Sequence, residues 1–124
     1  MLKLIAAASL SSFFFGLFGV SWESVDEKIE REFPRVQAVS AEALLTRYGD
    51  SPQELPIIID VRESDEFRIS HLDDAMNLES AESISALMVQ RGLGKDAEII
   101  VYCSVGYRSA GVAADLQELG YTRV

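Results

Sequence analysis

Two short runs of uninterrupted apolar residues, LPIIIDV (55–61) and AEIIVYC (97–103), constrain this chain more than any other feature. A strand with one solvated face alternates apolar and polar positions. A run rich in Ile and Val without that alternation predicts a strand buried on both faces. Elsewhere the periodicity is helical. Within 82–91, Ile84, Leu87 and Met88 share one face, and Gly92 and Gly94 close the segment. Over 109–119, Ala110, Ala113, Leu116 and Gln117 come near one another, with Gly120 as C-cap. Ser40 is placed to cap AEALLTRY (41–48), whose apolar face is Leu44, Leu45 and Tyr48, and Gly49-Asp50-Ser51-Pro52 predicts a loop. Ser64 is placed to cap a short Asp65-Glu66-Phe67 turn, and AMNL (75–78) is a weak strand candidate. Helices alternating with doubly buried strands predict a three-layer α/β domain with a largely parallel central sheet.

A chain of 124 residues has room for one such domain. Its N-terminus reads as a separate piece. Residues 4–20 carry no charge, follow a single Lys3, and give way at Trp22 and Glu23 to a charged run. Residues 1–21 are therefore expected to be a signal peptide or a membrane anchor. The corresponding location is periplasmic or membrane-anchored, and otherwise cytoplasmic. Residues 22–35 are expected to be a linker or a short surface helix, and 36–124 the folded domain. The net charge of −9 repels nucleic acid and predicts no phosphate-backbone footprint. An anionic substrate must be held by local donors working against that field.

The chain has one cysteine, Cys103, and one histidine, His71. This excludes an internal disulfide and a cysteine-built metal site, and no metal or cofactor is expected. The thiol is either structural filling or a working group, and its surroundings decide. It ends the second apolar run and is followed by Ser104-Val105-Gly106-Tyr107-Arg108, with Ser109 opening a helix. Ligands of parallel α/β sheets bind beyond the carboxyl ends of the strands. A tight loop entering a helix turns successive N–H groups inward as an anion nest, and the helix terminus adds further donors. Both favour thiolate over thiol. Gly106 permits a backbone angle closed to other residues. Arg108 can brace loop carbonyls or meet the outer atoms of an anion, and Ser104 and Ser109 offer hydroxyls at the mouth. Four residues separate Cys103 from Arg108, a tighter cradle than a phosphate needs and one suited to a single extra sulfur atom on the thiol.

At this point the sequence resembles the rhodanese family of single-domain sulfurtransferases, through IIIDVRESDEF (57–67), HLDDAMNL (71–78) and IIVYCSVGYRSAGVAADLQELGYTRV (99–124). The resemblance implies a rhodanese-like fold over roughly 36–124. It makes Cys103 the persulfide-carrying nucleophile, residues 104–108 its cradle, and Asp60 and Arg62 supports at the end of an adjacent strand. Many members active on thiosulfate carry a basic residue directly after the cysteine, where this chain has Ser104. The family also continues past the GYTRV segment with a last central strand and a closing helix. This chain stops at Val124, so its fold is expected to be truncated there, with a stub for a final strand and apolar surface left uncovered beside the cysteine strand.

The function expected is a sulfurtransferase that takes sulfane sulfur from a small anionic donor, thiosulfate or a persulfide, and passes it to a thiol, a protein acceptor or cyanide. The alternative is a non-catalytic rhodanese-like module that binds a partner or senses sulfur or redox state. His71 is expected to be structural, and Glu63, Asp65 and Glu66 a solvated turn. Tyr107 is expected to face outward, toward a donor or partner or as a shield for the pocket.

Overall fold

The computed structural model describes residues 21–50, 53 and 55–124. The expected signal or anchor lies outside them except for Ser21, which caps a helix. That helix, α1 (Trp22–Glu32), occupies the stretch expected to be a linker or a short surface helix, and Ser21 and Ser24 exchange side-chain and backbone hydrogen bonds at its start. It belongs to a unit ending at Pro34; Arg35–Val124 form the other unit. Among the described residues no helix is long and apolar enough to cross a membrane.

The second unit runs α2 (Ala41–Asp50), β1 (Ile57–Asp60), α3 (Ser64–Ile69), β2 (Met76–Asn77), α4 (Ala81–Gln90), β3 (Ile99–Tyr102) and α5 (Tyr107–Glu118). The three strands form an all-parallel sheet in the order β2-β1-β3, so the domain is α/β with a parallel sheet. Of the two runs expected to be buried on both faces, β1 is, whereas β3 lies at the edge of the described sheet with only Ile99 buried. β1 is central. Its Ile58, Ile59 and Asp60 are all buried, which covers both faces of the strand at once. On one face Ile59, Val61 and Ile99 pack with Ala81, Ile84 and Met88 of α4, Leu116 of α5 and Tyr121. Each fully buried Ile, Leu or Met here contributes roughly 1.5–3 kcal/mol. Because side chains alternate along a strand, Val101 and Cys103 share the face of Ile99, and both pack against this cluster. Cys103 is thus anchored to the core.

Several boundaries differ from the sequence expectations. α2 continues through Gly49 to Asp50, and Leu45 faces outward at 70% exposure while Leu44 and Tyr48 are half-buried. Ser40 does cap it, accepting from Ala43 N–H at 3.1 Å. The cap of α3 is Glu63 and not Ser64, because Glu66 reaches back to accept from Glu63 N–H at 3.1 Å. α5 begins at Tyr107, two residues before Ser109, because Gly106 takes a left-handed φ of 90° and serves as the N-cap. The segment after α5 forms no strand. It is held by a hydrogen bond from Ile99 N–H to Arg123 O (2.9 Å), by burial of Tyr121, and by the packing of Val124 against the core. The position of the expected stub is therefore occupied by an irregular segment tied to the start of β3.

Candidate active site

The register pairs Asp60 of β1 with Tyr102 of β3, so the exits of the two strands lie side by side at the carboxyl edge of the sheet. Cys103 is the next residue out along β3.

Asp60 has no exposed surface. Burial alone pushes its carboxyl up, but hydrogen bonds from Arg62, with help from the Tyr102 hydroxyl, overturn that and leave it below the usual carboxylate range. Arg62 grips it with Nη2 at 2.7 Å and Nε at 3.0 Å, and its own backbone N–H adds a third contact at 2.9 Å. Arg62 Nη2 also donates to Ser70 O at 2.6 Å, and the guanidinium lies 5.8 Å from the centre of the Tyr102 ring. Asn77 at the end of β2 donates to the carbonyls of Asp60 and Arg62. Tyr102 accepts from Leu72 N–H at 3.0 Å. These bonds fix the β1 exit and the 70–72 segment. Asn77, Tyr102 and Ser70 were not singled out from the sequence, although Asn77 lies within the HLDDAMNL stretch. His71 bonds to Phe67 O (2.8 Å) and stacks on the Phe67 ring at 3.7 Å, consistent with the structural role expected of it.

Cys103 sits half-buried at the start of its loop. Gly106 N–H points at Sγ from 3.2 Å, and the Ser109 hydroxyl lies 3.5 Å away. Burial pushes the thiol up; the Ser109 hydroxyl and the N–H groups of Ser109, Val105 and Gly106 outweigh it and hold the thiol below its ordinary value. Ser109 is itself buried, and its hydroxyl is also placed to donate to Gly106 O at 3.0 Å. A single hydroxyl proton can therefore serve either the loop carbonyl or a thiolate, by rotation about one bond. Gly106 O does not depend on it, since Ala110 N–H also reaches that oxygen at 2.9 Å.

Arg108 is engaged by a carboxylate of another element. Its Nη1 and Nη2 lie 2.9 and 3.0 Å from the two carboxylate oxygens of Glu66 on α3. The bidentate pair holds Glu66 down at about 2 and raises Arg108, to which the Cys103 sulfur adds a smaller contribution. Ser104, directly after the cysteine, lies with its hydroxyl 3.4 Å from the same carboxylate. Glu66, expected to be a solvated turn residue, is thus the link between α3 and the cysteine loop. Its position in the DVR-x-x-x-E-F stretch and its spacing of three from Glu63 were the available signals. Tyr107 is half-buried in the first turn of α5.

No curated protein matches the chain. A family model described as the Rhodanese-like domain matches residues 40–124, which takes in every element from α2 to the last residue. Such domains are sulfurtransferases or sulfur-related modules in general, and they bind sulfur donors and thiol acceptors. A parallel α/β sheet with the cysteine loop at the carboxyl end of β3 agrees with that match, and the chain belongs to the rhodanese-like domain family.

Proposed function

We propose that this domain is a sulfurtransferase that carries a persulfide on Cys103, loading it from thiosulfate or a persulfide donor and passing it to a thiol, a protein acceptor or cyanide. One observation carries the proposal: Cys103 Sγ lies at the carboxyl end of β3 with Gly106 N–H 3.2 Å and the Ser109 hydroxyl 3.5 Å away, at the start of a helix. A buried structural cysteine has no need of such donors.

The chemistry then needs no general acid. The thiolate attacks the outer sulfur of the donor, and a new S–S bond forms on Cys103 as the donor's own S–S bond breaks. Sulfite or a thiolate leaves with the bonding pair. In the second half, the acceptor anion attacks the outer sulfur of the persulfide and Cys103 leaves as thiolate. The outer sulfur stands about 2 Å beyond Sγ, so negative charge stays within reach of the same nest through both halves.

The test is an intact mass after incubation with thiosulfate and, separately, with an organic persulfide, beside a Cys103→Ser control. The expected result is a gain of one sulfur atom from at least one donor, lost on adding cyanide and absent in the control. A folded protein that gains sulfur from neither donor contradicts the proposal. A persulfide that forms but is not surrendered to any thiol or to cyanide would favour a binding or sensing module instead.

A further inference from the structure

Among the described residues the cradle presents dipoles, and each positive charge beside it is paired with a carboxylate. Two arginines border it, and each is held by a carboxylate: Arg62 by buried Asp60, and Arg108 by Glu66 through both guanidinium nitrogens. The hydroxyl of Ser104, directly after the cysteine and exposed, lies 3.4 Å from Glu66 as well. Around this locally balanced site the chain carries a net charge of −9. N–H dipoles stabilise one negative charge on a sulfur atom well, but they do not compensate a second charge brought in on a bulky head.

We propose that Glu66 is a specificity-determining residue, which neutralises Arg108 and so selects donors that carry a single negative charge, organic persulfides, over dianionic thiosulfate. This rests on the sulfurtransferase function proposed above and narrows its donor class. With an organic persulfide, Cys–S⁻ and R–S–S⁻ give Cys–S–S⁻ and R–S⁻, one S–S bond forming as one breaks. With thiosulfate the same exchange releases sulfite, which takes the bonding pair and both charges of the donor. The two reactions balance alike and differ in the charge that must approach Cys103 beside Glu66. Removing the Glu66 charge frees Arg108 for the sulfonate oxygens, and the benefit is greater for the dianion.

The experiment compares second-order loading rates for thiosulfate and for 2-hydroxyethyl persulfide, whose only charge is on its terminal sulfur. Wild type, Glu66→Gln, Glu66→Met and the charge-conserving Glu66→Asp are read by intact mass over time. The expected result is a thiosulfate-to-persulfide rate ratio that rises on the order of tenfold in Glu66→Gln, through tighter thiosulfate saturation, and stays near wild type in Glu66→Asp. The shift should shrink in ~1 M salt, where charges are screened within about 3 Å. Two neutral variants are included so that a folding failure of one leaves the other to decide. A ratio that moves less than about twofold, or an equal fall with both donors, overturns the proposal and leaves Glu66 as a brace for the loop. A wild-type protein that loads from neither donor would instead overturn the sulfurtransferase function itself, and with it this proposal.

Discussion

The segments leaving β1 and β3 start from paired residues, Asp60 and Tyr102, yet their polar groups are used differently. After β1, every strong group is consumed: the Asp60 carboxylate by Arg62, the Arg62 guanidinium by Asp60 and Ser70, and the Asp60 and Arg62 carbonyls by Asn77. After β3, donors converge on a sulfur atom that does not require them, and the sulfur stays half-exposed. One exit is satisfied internally and holds shape. The other holds surplus donor capacity, which is what an anionic intermediate uses. The comparison teaches that position at the carboxyl edge does not by itself make a site; the balance of donors and acceptors does.

Damage to the first exit should therefore appear in stability and damage to the second in reactivity. The largest effect is expected from Arg62→Ala, which leaves a buried carboxylate unpaired and should cost about 3–5 kcal/mol in urea unfolding. An effect below about 1 kcal/mol would show that Asp60 finds other partners or water, and the contrast would collapse. Next comes Gly106→Ala. It forces a side chain into a left-handed backbone with φ of 90° and should cost about 1–2 kcal/mol, while also slowing alkylation of Cys103 as Gly106 N–H swings off the sulfur. Ser109→Ala should cost about 1 kcal/mol but raise the thiol's titration midpoint and slow its alkylation at neutral pH several-fold. A change in stability with no change in alkylation would move Ser109 to the structural side of the comparison.

The smallest effect concerns acid. Hydrogen bonds from Arg108 hold Glu66 at about 2, and those from Arg47 lower Glu98. A carboxyl lowered in the folded state contributes stability above its unfolded value, and the contribution is lost as pH falls through the folded one. Stability should therefore decline modestly from about pH 4.5 toward about 2, since both pairs are partly exposed and screened. Denaturant midpoints across that range check it, and Glu66→Gln should flatten part of the slope.

How far the sequence reached follows from what each feature depends on. β1 was legible because burial on both faces leaves a local mark, an unbroken Ile and Val run; the same kind of run marks β3, although it lies at the edge of the described sheet and only its Ile99 is buried. Cys103, Gly106 and Ser109 were legible because a strand end, a glycine and a helix start lie in a few consecutive residues. The start of α5 was misjudged by two residues, since only the left-handed φ of Gly106 shows that Tyr107 and Arg108 are already helical. Glu66 was missed for a different reason. Its partner lies 42 positions away on another element, and a carboxylate in a short acidic turn looks solvated until the fold brings Arg108 to it. Long-range charge pairing leaves no period to read.

The most direct test of the central claim is a pH titration of Cys103, followed by thiolate absorbance and by the rate of alkylation in the intact domain. With surplus donors focused on the sulfur, the midpoint is expected below the ordinary thiol value of about 8.5, and Ser109→Ala should move it upward. A midpoint at or above that value, unmoved by Ser109→Ala, would mean that burial governs the sulfur. The exit of β3 would then be as structural as that of β1.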